Sequence, residues 1–527
     1  MKTSRLDQSS ITVISFKMDQ VMDLSTDQKQ CVEKIKEHLT ESGVDFLTQD
    51  HRSFAQSKFS KNPMIVLGRA GSGKTIILRE LTKILKDAKF RTSNLDFDHK
   101  NKMNYRHFCV LAPTNKAVSV LRLLGISAVT LHRALYMPVY DPEYEKIAQW
   151  LKSEVQPLPP SLLGSEKLEK MKAFFEKTPS IPGALASVGV RGSDFISGWT
   201  RRESPLDVGI IDESSMLNDS QLKDLQKIFK SLILFGDPGQ LAPVEQSGNM
   251  SFNKLKNNNR FILKKIHRQV ADNPILRLAK ELEEPDLTFL EFENRLSDLS
   301  RIDDRVQLKS SVNPKLMNKS PVLVWRNQTR IRLISAFRKV YNAPHDDLIE
   351  GEPLICDGIE LPLKHRKRRI ELEERGLIKG AQVIYLGKGK KIGFSRVYVV
   401  GTAEPLVSVA SIIQIENLEK EEPDILSAAG MGVIFLHGSA VTIHKSQGSQ
   451  WDQIQVFGPD IEACERSKRI EAGIPLWKRL AYVAITRSTD KLFWITRYRL
   501  EDPKEGIILP DFIKSNLDLL TSPQASV

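Results

Sequence analysis

The fold is decided by eight consecutive residues, Gly68-Arg69-Ala70-Gly71-Ser72-Gly73-Lys74-Thr75. An apolar run at 64–67 precedes them and an apolar-periodic stretch at 75–85 follows, which predicts a buried strand, a tight loop and a helix. The octapeptide matches GxxxxGK[ST], in which glycines let backbone N–H groups close around phosphates at a helix N-terminus. All eight residues are therefore predicted to bind a nucleotide, with the Lys74 ammonium on the β- and γ-phosphates and the Thr75 hydroxyl on Mg²⁺.

A strand that ends in two carboxylates narrows the choice among phosphate-loop proteins. The loop alone fits a kinase, a GTPase or a transporter ATPase equally well. Residues 208–211 form an apolar run that ends at Asp212 and Glu213. Asp212 would hold Mg²⁺ there, and Glu213 would orient and deprotonate the attacking water, a carboxylate that a kinase does not need. Such a pair taken alone is often a solvated loop, but its place after the phosphate loop favours a hydrolase.

A third apolar run, residues 232–235, ends in the turn GDPGQ at 236–240. Gln240 is a neutral donor that suits the γ-phosphate, so we predict that it senses this group. A plain turn would explain the glycines and the proline, but not the whole word.

The words DESSM (212–216) and GDPGQLAPV (236–244) resemble those of the superfamily 1 helicases, in particular the RecD- and Dda-like branch, superfamily 1B. The resemblance extends over most of the chain. It implies an α/β fold of two RecA-like P-loop domains, parallel sheets flanked by helices, with ATP and Mg²⁺ bound in the cleft between them. The segment LSTDQ (24–28) is similar to the family's adenine-reading motif, which assigns Gln28 to ATP. A helix-capping segment is the alternative interpretation.

Three words in the second half are similar to later motifs of the same family. They are IHRQ (266–269, motif IV), TIHKSQG (442–448, motif V) and LAYVAITR (480–487, motif VI). The resemblance makes Arg268 and Arg487 arginine fingers that reach the γ-phosphate from the second domain, and it assigns Gly448 to the ATP site. Either arginine could instead form a surface ion pair. The run at 482–485, just before Arg487, is apolar and strand-like.

The family's contacts to single-stranded nucleic acid fall at strand ends on both domains. LAPTNKA (111–117) is similar to motif Ia, and TLHRAL (130–135) is similar to the TxHxxL segment that follows it in the family. Hydroxyl, amide, imidazole and ammonium donors suit phosphates at these positions. The predicted nucleic-acid-binding residues are Pro113, Thr114, Asn115, Lys116, Thr130, His132, Thr442, His444 and Lys445.

Composition fits this interpretation without proving it. The chain has 527 residues, a formal net charge of +12 and a pI near 9.3, which suit a polyanionic partner. Its four cysteines are too few for a disulfide scaffold and too far apart for a CxxC zinc site, which indicates a reducing compartment. Without a long apolar run or a secretory signal, we expect no membrane partner and an intracellular location, in a bacterial or viral-host cytoplasm or otherwise.

Two insertions are expected to interrupt two α/β domains. Strand-like runs begin again at Pro321, resume near Gly432, and recur at 454–457 and 492–495. Short β-like runs within 350–431 suggest a small barrel. The predicted boundaries are an N-terminal extension (1–23), domain 1A (24–137 and 207–250), a 1B pin region (138–206), domain 2A (251–349 and 432–505), an SH3-like 2B insertion (350–431) and a C-terminal tail (506–527).

Two further expectations concern single segments. Phe195 and Trp199 of the pin region are candidates for separating the strands of a duplex, because aromatic rings stack on bases; an ordinary core role is the alternative. The stretch after Leu500 is expected to be frayed.

The sequence thus predicts an ATP-dependent helicase or translocase that moves on single-stranded DNA and unwinds duplex. DESSM departs from the DExxQD-like word of 3′-to-5′ relatives, so the expected direction is 5′ to 3′. Expected partners are single-stranded DNA, single-strand–duplex junctions, and replication, repair or defence proteins. An RNA helicase remains a rival, because backbone contacts ignore base sequence. A non-unwinding ATPase subunit of a larger assembly is the other.

Overall fold

The computed structural model describes residues 24–51, 54, 62–93, 106–152, 164–190, 196–201, 206–243, 249–255, 259–264, 273–361, 366–402, 405–420, 422–471, 473–509 and 513. The strands in this part of the chain are β1 Met64–Gly68, β2 Arg91–Thr92, β3 His107–Ala112, β4 Ala128–Thr130, β5 Tyr136–Tyr140, β6 Ile196–Arg201, β7 Leu206–Ile211, β8 Phe229–Gly236, β9 Arg260–Leu263, β10 Val306–Lys309, β11 Val322–Val324, β12 Pro353–Glu360, β13 Gln382–Lys388, β14 Phe394–Val399, β15 Leu406–Ile415, β16 Asp424–Ala428, β17 Gly432–His437, β18 Ala440–Thr442, β19 Trp451–Phe457, β20 Ile470–Glu471, β21 Ile474–Pro475 and β22 Ser488–Ile495.

The α-helices of the same residues are α1 Thr26–Glu41, α2 Lys74–Asp87, α3 Asn115–Leu123, α4 Leu131–Leu135, α5 Pro142–Lys152, α6 Ser165–Lys177, α7 Ile181–Ser187, α8 Asp219–Ile228, α9 Pro274–Glu281, α10 Phe289–Ile302, α11 Pro314–Met317, α12 Asn327–Val340, α13 Arg366–Glu374, α14 Gly458–Arg466 and α15 Leu476–Ile485. Short 3₁₀ turns lie at Ser214–Met216 and Ser251–Lys254. None of the described helices has the length and apolar character needed to cross a membrane.

Two parallel sheets form the two α/β domains. The first has the order β2-β3-β7-β8-β1-β9, with β4 beside β3, and the second has the order β10-β22-β19-β11-β18. Among the described residues, the strand pairings within these two sheets are all parallel. The central strands β1, β7 and β8 are buried almost throughout, because helices cover both faces of such a sheet. The predicted α/β class with two RecA-like sheets is confirmed.

A third sheet closes into a small barrel inside the second domain. Its order is β14-β13-β12-β17-β15-β16, and β14 also pairs with β15, which joins the two ends of a five-stranded ring. The pairings are antiparallel except that between β15 and β17. The barrel lies in the segment predicted to hold the 2B insertion. The 1B segment touches it: the Ser180 hydroxyl donates to the carbonyl of Ala429, and Lys170 pairs with Glu422 at 3.3 Å.

Two predicted domain boundaries differ from the sheets that the structure contains. Strand β9 pairs with β1, so the first sheet extends to Leu263 and not only to residue 250. Strand β17 pairs with β12 and β15, so the run at Gly432 belongs to the barrel and not to the second parallel sheet. Both strands are short apolar runs, and such a run does not reveal which sheet it joins. The other boundaries remain predictions.

One prediction about a single segment is wrong, and another is tested only at residues 501–509 and 513. Residues 482–485 lie in helix α15, not in a strand-like segment; they belong to the uninterrupted apolar run 480–485, which shows no helical period. The chain after Leu500 is not frayed where it is described. Ile513 is fully buried, and Ile507 and Leu509 pack on the barrel beside Gly351.

Candidate functional site

The phosphate loop runs from the end of β1 to the start of α2. Gly71 and Gly73 have φ values of +82° and +81°, a left-handed conformation that glycine adopts without steric cost. Space is short as well, because a Cβ on Gly73 would lie 2.2 Å from Gln28 Nε2. The Lys74 ammonium folds back into the loop, where it donates to the carbonyls of Gly68 at 2.6 Å and Arg69 at 3.1 Å. The Lys74 ammonium is therefore held inside the loop that is predicted to bind the phosphates.

Gln28 both caps a helix and contacts the phosphate loop. Its Oε1 accepts from the Ser25 amide at 3.0 Å, and the Ser25 hydroxyl accepts from the Gln28 amide, which together form a capping box at the start of α1. Its Nε2 donates to the Ser72 carbonyl at 3.4 Å. The helix-capping interpretation is thus confirmed, and it fixes Gln28 against the loop; the adenine contact stays a prediction.

The two carboxylates follow β7 directly. Asp212 is buried, and burial raises the pKa of its carboxyl to about 7; the charge of Glu213 adds to this rise, whereas the Lys74 ammonium opposes it. Glu213 has a φ of +52°, a strained conformation for a residue with a Cβ. Strain of this kind tends to occur at functional sites, because the surrounding structure must hold it. The arrangement brings Lys74, Asp212 and Glu213 into one electrostatic group.

Buried polar atoms without a hydrogen-bond partner surround this group. Among the residues that the structure describes, they include Ser72 Oγ, Glu213 Oε2, Ser214 Oγ and Gln240 Oε1. Buried polar atoms in native proteins almost always have a partner, so such a cluster indicates a polar ligand. ATP with a cation and the attacking water would supply the missing partners.

The donor set also fits a magnesium ion. The described residues contain no cluster of three His, Cys, Asp or Glu side chains. A Mg²⁺ ion in such a site does not need one, because it takes one or two protein oxygens and completes its shell with phosphates and water. The Thr75 hydroxyl and the Asp212 carboxylate are the two protein ligands that the loop and β7 can offer.

Arg487 follows helix α15 on the second domain and is buried. Its guanidinium donates to the carbonyls of Val483 at 3.0 Å and Ser449 at 3.2 Å, and to the Thr486 hydroxyl at 3.2 Å. Burial lowers the pKa of this guanidinium, and the negative charge of Glu213 opposes that shift across the cleft. A surface ion pair, the alternative for Arg487, is therefore excluded. Arg268, the other predicted arginine finger, lies outside the described residues.

Several contacts cross the cleft and hold the two domains together. The Tyr482 hydroxyl donates to Asp237 Oδ2 at 2.9 Å and accepts from the Ala70 amide at 3.1 Å. Arg479 donates to the carbonyl of Gln240 at 3.2 Å. Gln447 Nε2 donates to the carbonyl of Leu241 at 3.1 Å, also across the cleft. Sequence reasoning missed Tyr482, Arg479 and Gln447 as functional residues, although Tyr482 and Gln447 lie inside the quoted motif words and Arg479 immediately precedes one.

Thr114, a predicted strand contact of the first domain, lies beside Gly448 of the second domain. Thr114 caps helix α3, where its hydroxyl accepts from the Ala117 amide at 3.1 Å. A Cβ on Gly448 of the second domain would lie 3.1 Å from the same hydroxyl oxygen. Thr442 is close in sequence, and its hydroxyl accepts from the Lys445 amide at 3.4 Å. Gly448, predicted to bind ATP, thus adjoins the predicted strand track.

The remaining predicted strand contacts lie beside these. Thr130 ends β4 and pairs in register with Ala112, so it shares an edge with Pro113 and Asn115, which flank Thr114. Burial lowers the pKa values of His132, His444 and Lys116. Burial therefore favours the neutral form of each imidazole. Of the two pin candidates, Phe195 lies outside the described residues and Trp199 lies in β6, paired in register with Pro138.

This geometry defines a P-loop ATPase whose nucleotide site lies in a cleft between two RecA-like domains. A family model described as an AAA domain matches residues 46–304, and a second, described as a UvrD-like helicase C-terminal domain, matches residues 437–495. With a UvrD-like helicase C-terminal domain after its ATPase domain, the chain is an ATP-dependent helicase.

Solved structures of Pif1 helicases are similar to this chain along nearly its whole length. That from Candida albicans is 16% identical with a TM-score of 0.45, over 94% of this chain and 100% of the other. Bacteroides Pif1 bound to single-stranded DNA is 16% identical with a TM-score of 0.44, over 95% and 97%. Bacteroides Pif1 with ADP-AlF3 and single-stranded DNA is 16% identical with a TM-score of 0.43, over 96% and 98%. No curated protein matches the chain in sequence.

Proposed function

We propose that the protein moves 5′ to 3′ on single-stranded DNA and unwinds duplex at single-strand–duplex junctions, driven by ATP hydrolysis in the interdomain cleft. One observation carries this proposal: the same two domains meet at the phosphate loop and beside Thr114, a predicted strand contact. Tyr482 joins them at Ala70 and Asp237, and Gly448 adjoins Thr114. A change in cleft closure must therefore move the strand contacts of one domain against those of the other.

Hydrolysis would use the residues of this chain as follows. Lys74 exchanges its two carbonyl partners for the β- and γ-phosphates, and Gln28 contacts the adenine. Bound Mg²⁺, held by Thr75 and Asp212, would neutralise phosphate charge. The free Oε2 of Glu213 accepts a proton from the water that attacks the γ-phosphorus, and Gln240 orients that water or the γ-phosphate.

The second domain completes the site. Arg487, together with Arg268, stabilises the charge that develops on the transferred phosphoryl group, and the bond to the ADP oxygen breaks. Loss of the γ-phosphate removes the partner of these arginines, so the cleft opens. Each cycle then shifts the backbone contacts of Thr114, His132, Thr442 and His444 along the strand. Because these donors face phosphates, the movement does not depend on base sequence.

Strand displacement on three matched duplexes tests the proposal. They carry a 5′ single-stranded tail, a 3′ tail or none, each in a DNA and an RNA version, and ATP and Mg²⁺ are present throughout. We expect displacement of the 5′-tailed DNA duplex alone. Equal activity on RNA would identify an RNA helicase, a 3′-tail requirement would reverse the direction, and strand-stimulated ATPase without displacement would identify a remodelling ATPase.

A further inference from the structure

Arg69, the second residue of the phosphate loop, turns its side chain to the other domain. Its Nε lies 2.8 Å from Glu283 Oε1, and its guanidinium carbon lies 5.4 Å from the centre of the Tyr482 ring. The side chains of Arg69 and Glu283 are 31% and 40% exposed. A loop residue predicted to bind ATP thus has both its ionic and its aromatic partner on the second domain.

These two partners belong to one rigid part of that domain. Glu283 lies in the turn after α9, and the Lys478 ammonium donates to the carbonyls of the next two residues, Glu284 at 2.5 Å and Pro285 at 2.8 Å. Lys478 and Tyr482 lie on the same buried helix, α15. Whatever moves α15 therefore moves both partners of Arg69 together.

The first domain leaves room for this arginine at Gly239. A Cβ there would lie 1.9 Å from Arg69 Nη1 and 2.9 Å from the Tyr482 ring, although the backbone of Gly239 is not in the left-handed region. The backbone conformation does not require a glycine at this position. Glycine is required here because Arg69 and Tyr482 approach so closely that a Cβ would clash with both. Tyr482 comes from the second domain, so this crowding arises when the cleft is closed.

We propose that Arg69 is a positioning residue that couples the phosphate loop to cleft closure, and that its side chain binds the second domain and not the nucleotide. The ion pair with Glu283 and the contact with the Tyr482 ring exist only while the cleft is closed, because the partners lie on different domains. They favour the closed state before the γ-phosphate is recognised. This inference rests on the proposed function, in which hydrolysis requires closure.

A double-mutant cycle between Arg69 and Glu283 tests the coupling. The variants Arg69→Gln, Glu283→Gln and the pair are compared by kcat and KM for ATP with saturating single-stranded DNA, and by affinity for fluorescent ADP and for a non-hydrolysable ATP analogue. An exposed ion pair contributes modestly, so Glu283→Gln should lower kcat/KM roughly two- to fivefold. The pair should be no worse than Arg69→Gln alone, because one interaction is lost once. Arg69→Lys should rescue only in part, since it keeps the charge but not the planar fork.

One control variant and one further variant separate this role of Arg69 from others. Glu284→Gln breaks a neighbouring pair with Arg295, at 2.8 Å, that lies wholly within the second domain, and it should leave kcat/KM within twofold of wild type. Gly239→Ala displaces Arg69 and should lower kcat/KM at least as much as Arg69→Gln.

Additive effects in the cycle, or loss of ADP affinity in Arg69→Gln with no effect of Glu283→Gln, would overturn the inference by making Arg69 a nucleotide ligand. Absence of strand-stimulated ATPase in the wild type would instead overturn the proposed function. In that case the affinities of the variants for ADP and for the ATP analogue would still test the coupling between Arg69 and Glu283, because binding can be measured without hydrolysis.

Discussion

Replacing Tyr482 by phenylalanine removes a single oxygen from the centre of the closed cleft. The hydroxyl donates to Asp237 Oδ2 at 2.9 Å and accepts from the Ala70 amide at 3.1 Å. Asp237 is only 1% exposed, so no solvent would replace the lost donor while the cleft is closed. In an open cleft both partners would meet water. The substitution should therefore destabilise the closed state relative to the open state.

The magnitude follows from the kind of hydrogen bond that is lost. A hydrogen bond to a charged group contributes about 1.5–3 kcal/mol, which corresponds to a roughly 10- to 150-fold change in an equilibrium constant. If hydrolysis requires closure, Tyr482→Phe should lower kcat/KM for ATP by a factor in this range. The ring and its packing remain, so the unfolding temperature should change little.

Steady-state ATPase with saturating single-stranded DNA measures this effect. Tyr498→Phe is a matched control, because its hydroxyl accepts from Arg326 at 3.1 Å and both of these residues lie on the second domain. We expect the control to stay within about twofold of wild type. Wild-type kcat/KM in Tyr482→Phe would refute the reasoning that this hydroxyl holds the domains together.

Three further substitutions test the chemistry itself. Lys74→Ala should abolish ATPase while single-strand binding, measured by fluorescence anisotropy, persists; wild-type turnover would remove the central claim. Glu213→Gln should keep ATP affinity and slow turnover by roughly 10²- to 10⁴-fold, as expected for a general base, and parallel losses of affinity and turnover would point to a structural role. Arg487→Ala should lower turnover by about 10³- to 10⁵-fold with a far smaller loss of ATP affinity, and lysine should rescue poorly. Near wild-type hydrolysis and strand displacement by Arg487→Ala would contradict the two-domain mechanism.

The sequence predicts the first sheet well, for a physical reason. Strands β1, β3, β7 and β8 lie in a parallel sheet with both faces covered, so each is a short continuous apolar run that ends in polar or glycine residues. The functional residues follow those strand ends directly. Position along the chain and position in the site therefore coincide for the phosphate loop and for the two carboxylates.

A short apolar run is a poor guide where the segment is fully buried and packs against a segment far away in the chain. Residues 480–485 of helix α15 and strand β17 are both short continuous apolar runs, and neither run shows whether its period is that of a helix or of a strand. Strand β9 returns to the first sheet beside β1, about two hundred residues earlier in the chain. No local pattern encodes such a pairing, which is why the predicted boundaries at residues 250 and 432 do not match the sheets.

The cleft shows a further limit of motif words, because they name residues but not their partners. The motif words assign Arg69 and Gln28 to the ATP site, but they do not reveal that Arg69 contacts Glu283 or that Gln28 contacts the loop carbonyl of Ser72. Tyr482 contacts Ala70 from 412 residues away. Only the folded chain reveals that the loop is also a contact surface between domains.

The polar groups of the cleft fall into two sets, and this division has a consequence for mechanism. Those of Tyr482, Arg479 and Gln447 reach partners across the cleft without any ligand. Those of Glu213 and Gln240 include buried oxygen atoms without a partner. The hydrogen bonds of the first set can stabilise the closed cleft before ATP binds, whereas the oxygen atoms of the second set gain partners only when a ligand binds. Substitutions in the first set should therefore act on the closure equilibrium and appear chiefly in KM, and substitutions in the second should act on the transition state and appear chiefly in kcat.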